Sequence, residues 1–548
     1  MTLFNQRQAR LLVPGFHPDP SVCSDRPGHL VLAFSSFEYF PGLPVWESND
    51  AGKTWSFCSF AASREDQFTT SPLGDSMGFY APTIRWHNGT WYLIVTDVNR
   101  GAMIFTTTNL HGNWSGPKLI DGWPGIDPSL LFDDDGTCYI CGNEAGSGEK
   151  PGIYAAPINP DTAELLGPRH FLIGGITGSN PEGPHMYRYG DTYYLMWAEG
   201  GTEAGHMECM ARATSVFGPY EVNPHNPLIT NRSTHLTPQC IGHADLAPLG
   251  SSNHANAANH DANGHDDDFF LVFLGLRTNA DYPQQGWLGR ENFGAHVRWP
   301  RNGWPELADQ SFFISPDDPG SARPLTDPTV AWICPGVDRE HLFTVTSADK
   351  SAAKSVVKSA EKSSVESAEK SAQNAVNVTA TAVPIRENNA ERFSAMITPG
   401  PRLIGRRQRS FTDTFTVSCD ALAHNGYTGA IAFATSRVWA TAFVDTRGER
   451  PSVRCRFYDK GVMAPLADIP LRTGTEHVTI RIVGSDEGYD FVAFIDGVTG
   501  NASSDTADGI FLGHVPCEPF ASTHAGGFTG MLYGVYAHGE GSARFTCQ

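Results

Sequence analysis

The stretch EGPHMYRYGDTYYLMWAEG, residues 182–200, holds two apolar and aromatic segments joined by a tight turn at Tyr189-Gly190-Asp191. Such segments on either side of a Gly-containing turn are typical of a β-hairpin. A short polar motif, Glu-Gly-Pro-His, opens the stretch. This order of parts, a polar lead, a strand, a turn and a second strand, defines a unit that can be sought elsewhere in the chain.

The unit returns four more times within roughly the first 300 residues. The other copies open at HPDPSV (17–22), APTIRW (81–86), IDPSLLF (126–132) and GHADLAPL (242–249). With Asp19, Ala81, Asp127, Glu182 and His243 as markers, successive copies are 62, 46, 55 and 61 residues apart. Units of this length, with strand pairs and no helical pattern, are typical of propeller blades. The sequence therefore predicts an all-β protein whose residues 1–320 form a five-bladed β-propeller.

Acidic residues lead three of the five units: Asp19, Asp127 and Glu182. In a propeller the first strand of each blade lines the central channel, so these leads face a common funnel. An Asp-Pro pair alone is an ordinary turn former. Acids at the same place in three repeats repel one another, however, and a purely structural role has no use for that cost. We therefore predict a functional site in the funnel.

The rest of the chain reads as a second β domain with one insertion. From about Pro401 to Gln548, short alternating segments with Gly, Asp and Asn turns predict an antiparallel β-sandwich, so the second domain is set at 321–548. Residues 349–390, rich in Ser, Ala and Lys, are predicted to be a low-complexity insertion or flexible linker without chemistry. The His- and Asp-rich stretch 251–268 is predicted to be a disordered hairpin tip in the fifth blade.

Composition limits the partners. The chain has 548 residues, 39 basic against 59 acidic, and a net charge of −20. This charge opposes binding to nucleic acid and to anionic membranes, whereas a neutral substrate is unaffected. Eleven scattered cysteines and the lack of a signal peptide are typical of a cytoplasmic protein with reduced thiols. Cys138-x-x-Cys141 has no second pair, so no metal site is expected there. A homo-oligomer stays open.

Paired carboxyl groups, one protonated and one ionised, are the apparatus that hydrolyses a glycosidic bond. The acid must keep its proton near neutral pH, and burial or a nearby negative charge does this by raising its pKa. Two catalytic acids and one modulator would account for three converging carboxylates. Among the aromatic residues near the leads, Phe37 is expected to offer a face to a sugar ring.

Several longer motifs resemble glycoside hydrolase family 43, and in particular its two-domain β-xylosidase/α-L-arabinofuranosidase group. They are, in chain order, GFHPDPSV (15–22), SSFEYFPG (35–42), GIDPSLLFDDDG (125–136), EGPHMYRYGDTYYLMWAEGGT (182–202), GHADL (242–246), LGRENF (288–293), GRRQ (405–408) and GGFTG (526–530). The resemblance implies an exo-acting, inverting hydrolase that releases terminal xylose or arabinofuranose from xylan- or arabinoxylan-derived oligosaccharides.

The resemblance also implies roles for single residues. Asp19 would be the general base that activates water, Glu182 the general acid, and Asp127 the residue that raises the pKa of Glu182 and orients it. Arg290 would hold sugar hydroxyls, unless it forms only a structural salt bridge. His243 would contact the sugar, a bound water or a structural calcium ion in the channel, unless it is only a buried, hydrogen-bonded histidine. The resemblance implies no required cofactor.

Phe528 would reach from the sandwich to close the rim of a shallow pocket, unless it only packs within the sandwich.

Two other functions compete with this interpretation. A non-catalytic sugar-binding propeller would need no set of three acids. A fructan or sucrose hydrolase shares the scaffold but uses a first-strand Asn-Asp-Pro-Asn motif that this chain lacks. The choice between xylosidase and arabinofuranosidase activity depends on a few pocket contacts and stays open at this point.

Overall fold

The computed structural model describes residues 9–69, 73–144, 149–177, 180–250, 267–278, 286–300, 303–307, 310–336, 342–348, 376–381, 403–420, 425–495 and 509–548. Two compact units divide the chain. The first comprises Met1–Thr69, Ser76–Tyr282 and Gly289–Pro324, and the second comprises Thr70–Asp75, Pro283–Leu288 and Leu325–Gln548. None of the helices in these described ranges is long and apolar enough to cross a bilayer.

The first unit is a five-bladed propeller, as predicted, with each blade an antiparallel sheet. The strands of blade 1 are β2 (Ser21–Arg26), β3 (His29–Ala33), β5 (Gly42–Ser48) and β6 (Ser56–Ala62), with the two-residue β4 (Tyr39–Phe40) between β3 and β5 in sequence. Blade 2 contains β7 (Thr83–His87), β8 (Thr90–Asp97), β9 (Gly101–Thr107) and β10 (Ser115–Leu119). Blade 3 contains β11 (Ile126–Phe132), β12 (Cys138–Glu144), β13 (Gly152–Asn159), β14 (Glu164–Leu165) and β15 (His170–Ile173).

The two remaining blades follow the same plan. Blade 4 contains β16 (Glu182–Tyr189), β17 (Thr192–Glu199), β18 (Met207–Ala213) and β19 (Glu221–Val222). Blade 5 contains β20 (Gln239–Pro248), β21 (Asp267–Leu276), β22 (Arg290–Trp299) and, as its outer strand, the N-terminal β1 (Arg10–Leu11). Because Arg10 pairs with Gly294 and Leu11 with Phe293, the beginning of the chain completes its last blade. The sequence pattern gave no sign of this short strand.

The first strands of the blades, β2, β7, β11, β16 and β20, each contact the next and close into a ring. Tight turns hold the hairpins: Asn88 (φ 47°) and Gly89 (φ 85°) are both left-handed, as a type I′ turn requires. Apolar side chains fill the space between neighbouring blades, for example around Ile94 and Ile140 between blades 2 and 3. The packed blades hold the ring, and the ring positions the strand leads.

The second unit contains two antiparallel sheets, as predicted for a sandwich. One sheet has the order β24 (Phe343–Ser347), β25 (Val376–Thr381), β36 (Ser542–Cys547), β27 (Thr414–Asp420), β32 (His477–Ser485), β33 (Gly488–Ile495) and β34 (Ile510–Pro516). The other has the order β26 (Ile404–Arg407), β35 (Leu532–Glu540), β28 (Asn425–Thr435), β29 (Val438–Asp445), β30 (Ser452–Asp459) and β31 (Val462–Pro470). The short β23 spans Cys334–Pro335, and among the described residues this unit has the short helices Pro328–Ala331, Glu518–Phe520 and Ser522–Ala525. The first unit contains the short helix Glu65–Gln67.

The predicted insertion at 349–390 is wrong at its C-terminal part. Val376–Thr381 is strand β25, which pairs with β24 and β36. Its Val376, Val378 and Ala380 side chains are buried in the sandwich core, so the alternation of apolar and polar residues signals a strand within a biased composition. The remainder of 349–390 lies outside the described residues, as does 251–266 of the predicted hairpin tip.

A second difference concerns residues 283–288, which fall in the range predicted for the propeller but belong to the second unit. Trp287 is fully buried there, and its ring packs against Phe411 with the centroids 4.8 Å apart. Contiguous ranges derived from the sequence do not reproduce this exchange of segments.

All eleven cysteines lie in the described ranges, and no disulfide joins any two of them, Cys138 and Cys141 included.

Candidate active site

The leads of four inner strands share an uncommon backbone conformation. Asp19 (φ 53°), Asp127 (φ 51°), Gly183 (φ 55°) and His243 (φ 51°) all lie in the left-handed region. Non-glycine residues rarely adopt it, and where they do, the strain often marks a functional site. The repeat therefore places a left-handed residue at the start of the inner strand in four of the five blades, whereas Ala81, at the matching position of blade 2, is not left-handed.

This comparison corrects the marker chosen for blade 4. By backbone conformation and by the residue that follows, Gly183-Pro184 matches Asp19-Pro20 and Asp127-Pro128, so Glu182 stands one residue before the shared position. The physical reason is space. A Cβ at Gly183 would lie 2.9 Å from the His243 ring, so only glycine fits there and the acid occupies the preceding residue.

Asp19 is held from two sides. The Ser35 hydroxyl donates to its Oδ2, and Nη1 of Arg290 donates to its Oδ1 at 3.0 Å. Nδ1 of His243 lies 3.9 Å from the same Oδ1. The carboxylate is buried, and each of its two oxygens accepts a hydrogen bond, which fixes its direction in the funnel.

Asp127 and Glu182 are joined through the backbone. The N–H of Gly183 donates to Oδ2 of Asp127 at 3.0 Å, which ties Asp127 to the residue beside Glu182. Burial raises the pKa of Asp127; a charge on His243, the Gly183 N–H and Arg290 oppose the rise, and Asp19 adds to it.

Glu182 keeps part of its surface exposed in the funnel, while its carboxyl group is surrounded by protein atoms. This burial, followed by the charge of Asp127, raises the pKa of Glu182 to about 8 against the opposing charge of Arg290. Most of the Glu182 population therefore carries its proton at neutral pH.

Arg290 begins strand β22 and spans the site. Besides its bond to Asp19, its Nη1 donates to the Thr202 hydroxyl at 2.9 Å. Its guanidinium lies over the Phe37 ring, 5.8 Å from the centroid. The ion pair that a structural role would require is therefore present, at a place that also borders the carboxylates.

Phe37 is only 1% exposed, which the sequence did not indicate. Its ring stacks on Phe16 with the centroids 5.9 Å apart and meets Tyr80 edge-on at 5.4 Å. The buried Phe37 ring therefore supports the Arg290 guanidinium that lies over it. Tyr80 is only half-buried and lies close enough to Asp127, Asp19 and Arg290 for their charges to affect it. It is therefore better placed than Phe37 to contact a ligand.

His243 rests on a buried carboxyl group that the sequence analysis missed. Glu208, fully buried in β18, accepts the Ala244 N–H at 2.9 Å through Oε2, while its Oε1 has no hydrogen-bond partner. Burial raises the pKa of Glu208 well above its usual value, which favours the protonated form of this carboxyl group beneath the His243 backbone. The only sequence signal was an acidic residue in a mostly apolar strand.

A second polar layer lies deeper in the ring, around Asp245. Its carboxylate accepts bonds from Ser21 and Val22 of blade 1, Arg85 of blade 2 and Tyr187 of blade 4. Arg85 also donates to Nδ1 of His185 at 3.0 Å. This network joins strands of four blades through one carboxylate.

The channel residues fit the expected calcium ion poorly. Calcium takes six to eight oxygen ligands, but the oxygens of Asp245 are bonded to Arg85, Ser21 and Tyr187, and those of Asp19 to Arg290 and Ser35. These bonded oxygens do not favour the predicted calcium ion, which no observation here tests. No step proposed below passes through a metal.

The structure brings Asp19, Asp127, Glu182, Arg290, His243 and Phe37 together in the first unit. Phe528 belongs to the second unit, half-buried after the helix Ser522–Ala525, and its role at a pocket rim stays a prediction.

Residues 10–305 match the family model of glycosyl hydrolases family 43. The chain belongs to this family. Residues 388–546 match the β-xylosidase C-terminal concanavalin A-like domain. The family 43 resemblance read from the motifs, and the prediction of a glycosidase, are thereby confirmed.

Two relatives match this family 43 glycosidase over nearly their whole length. It is 30% identical to a non-reducing end α-L-arabinofuranosidase of Bacteroides ovatus, over 97% of this chain and 91% of the relative. It is also 30% identical to a xylosidase/arabinosidase of Butyrivibrio fibrisolvens, over 97% and 95% of the two chains. The solved xyloglucan PUL GH43B structure of Bacteroides ovatus superimposes with a TM-score of 0.77 at 27% identity, covering 99% of both chains.

Proposed function

We propose that this glycosidase is an exo-acting hydrolase that removes a terminal xylose or arabinofuranose from xylan- or arabinoxylan-derived oligosaccharides, with inversion at the anomeric carbon. Relatives named as arabinofuranosidase and as xylosidase/arabinosidase support the sugar class. No metal or organic cofactor takes part in the proposed steps.

The observation that carries the proposal is the unequal state of the funnel carboxyl groups. Glu182 holds a proton at neutral pH because its pKa is raised to about 8. Asp19 is paired as a carboxylate with Arg290. A proton donor and a proton acceptor in one funnel are what single-displacement glycoside hydrolysis requires.

In the proposed reaction, Glu182 gives its proton to the glycosidic oxygen as the bond to the anomeric carbon breaks. Asp19 takes a proton from the water that attacks the opposite face of that carbon. Asp127 stays anchored to the Gly183 N–H, and its charge favours the protonated form of Glu182 before each turnover. In this proposal Arg290, beside Asp19, binds hydroxyl groups of the terminal sugar, and Tyr80 offers its ring to the face of that sugar.

Two substrate preferences stay open, since xylopyranose and arabinofuranose are both neutral pentoses. A panel of nitrophenyl β-xyloside, nitrophenyl α-L-arabinofuranoside and reduced arabinoxylan oligosaccharides separates them. We expect release of single pentoses from the non-reducing end of at least one substrate. Failure to cleave any pentoside would overturn the proposal and favour the non-catalytic sugar-binding alternative.

The stereochemistry is tested by following the first minutes of hydrolysis with proton NMR. We expect the product anomer opposite to that of the substrate. First appearance of the same anomer would contradict the role of Asp19 as a base, because a retained configuration requires a covalent intermediate.

A further inference from the structure

A cluster of metal-ligating side chains lies away from the funnel carboxylates. It consists of Glu47 on β5, Cys58 on β6 and His111 in the turn between β9 and β10. The ligand atoms of these three side chains all lie within 4.8 Å of one another. Among the described residues, this is the one group of three or more His, Cys, Asp and Glu side chains gathered so closely.

The cysteine is turned toward the cluster by an irregularity in its strand. Val45 pairs with Ser59 and Trp46 with Phe57, so Cys58 is an extra residue without a partner on β5. Such a bulge re-aims the side chain of the inserted residue. Nε2 of His111 meets the cluster from the other side, 3.1 Å from Oε1 of Glu47.

The turn that carries His111 is fixed to blade 1. The Ser59 hydroxyl donates to the Leu110 carbonyl at 2.6 Å and accepts from the Trp114 indole N–H at 3.1 Å. Within the turn, the Asn109 side chain accepts the His111 N–H. His111 is therefore held at the cluster by bonds on both sides of it, although its own side chain is 57% exposed.

Glu47 is oriented by a buried pair behind it. Nε2 of His29 lies 3.1 Å from Oε2 of Glu47, and Nδ1 of His29 bonds to Asp25. This leaves Oε1 of Glu47 directed at His111. Outer hydrogen bonds of this kind are what orients the ligands of protein metal sites.

We propose that Glu47, Cys58 and His111 bind one Zn²⁺ ion, with a fourth position open to water. A thiolate, an imidazole and a carboxylate are the ligands that zinc takes at about 2.0–2.3 Å, which puts them about 3.3–3.8 Å apart in a tetrahedron. The present spacing needs only a small contraction. On binding, the Cys58 thiol passes its proton to solvent, and the thiolate and the Glu47 carboxylate together neutralise the two charges of the ion. The ion would join blade 1 to blade 2.

Cobalt titration of the full-length, reduced and chelator-treated protein tests the proposal, because Co²⁺ bound to a thiolate shows a sulfur-to-cobalt charge-transfer absorption. We expect this absorption to appear with one Co²⁺ per chain and to disappear when Zn²⁺ is added. The His- and Asp-rich stretch 251–268 has no cysteine, so cobalt bound there gives no such signal.

The variants localise the site. Cys58→Ser should abolish the absorption, whereas Cys23→Ser, at a half-buried free thiol of the same blade, should keep it. Because His111 is exposed, His111→Ala leaves the fold intact and should weaken Zn²⁺ binding about tenfold or more, the loss expected when a metal site is perturbed. Absence of the absorption in the wild-type protein, or its persistence in Cys58→Ser, would overturn the proposal. Neither result depends on glycosidase activity.

Discussion

The backbone N–H of Gly183 donates to Oδ2 of Asp127 at 3.0 Å, so the residue next to Glu182 is fastened to the carboxylate that raises the pKa of Glu182. Two blades therefore share one functional unit. The position of Glu182 depends on the Asp127 side chain, and the Asp127 charge adds to the burial that raises the pKa of Glu182.

Asp127→Asn should move the alkaline limit of activity to lower pH. The wild-type enzyme loses activity as the pH rises through about 8, because Glu182 gives up the proton that it must donate. Removing the negative neighbour lowers the pKa of Glu182, so the limit should fall by on the order of one pH unit. A pH profile of kcat/KM measures this. The exposed Asp134→Asn in the same blade is the control, and an unmoved limit in Asp127→Asn would show that Asp127 does not act through charge.

Gly183→Ala should lower kcat by about tenfold or more, because the added Cβ lies 2.9 Å from the His243 ring and Glu182 must shift with it. The left-handed backbone adds about 1–2 kcal/mol of destabilisation. Gly190→Ala is the matched control, since Gly190 has φ 62° and a Cβ added there would meet nothing within 4 Å. The free energy of unfolding and kcat are measured for both variants. Both variants share the backbone strain, whereas only Gly183→Ala adds the contact with His243. Equal kcat in the two variants would contradict the contact with His243.

Tyr80→Ala should raise KM about tenfold with a smaller effect on kcat, because an aromatic face for the terminal sugar is lost. Tyr80→Phe keeps the ring and its edge-on contact with Phe37, so its KM should stay within about twofold. Steady-state kinetics on the preferred pentoside measure both. A KM unchanged in Tyr80→Ala would remove Tyr80 from the binding site.

Stability should fall below about pH 6.5 because of two buried histidines. Burial lowers the pKa of His185 and of His206 to about 3, so the folded state keeps them neutral while the unfolded state binds a proton at each. Their contribution is therefore complete above the unfolded pKa of about 6.5 and is lost as the pH falls, at up to about 1.4 kcal/mol per pH unit for each histidine. Denaturant unfolding at several pH values measures the slope. His206→Gln should make the slope shallower, whereas the exposed His225→Gln should not. Equal slopes in both variants would refute the argument.

The sequence predicted the blades and the acids because both repeat. Strand leads such as Asp19-Pro20 and Asp127-Pro128 can be recognised by their position in the repeat. Hairpin turns such as Asn88-Gly89 can be recognised by their residue types. The one-residue offset of Glu182 was missed because it depends on a contact between Gly183 and His243, which are 60 positions apart.

Other parts of the site were missed for the same reason. Glu208 and the Arg85–Asp245 pair give little or no local signal, since their burial arises only when five blades close into a ring. Phe37 was expected to face a sugar, but whether an aromatic ring lines a pocket or supports an arginine is decided by its neighbours. The strand Val376–Thr381 was hidden by the biased composition before it.

The most direct test of the catalytic account compares leaving groups in Glu182→Ala and Asp19→Ala. On an oligosaccharide, whose leaving oxygen needs a proton, Glu182→Ala should lose about 10²–10⁴-fold in kcat/KM. On a dinitrophenyl pentoside, whose leaving group departs without a proton, Glu182→Ala should lose less than about tenfold, whereas Asp19→Ala should be impaired on both. Equal losses of Glu182→Ala on the two substrates would contradict its role as the proton donor.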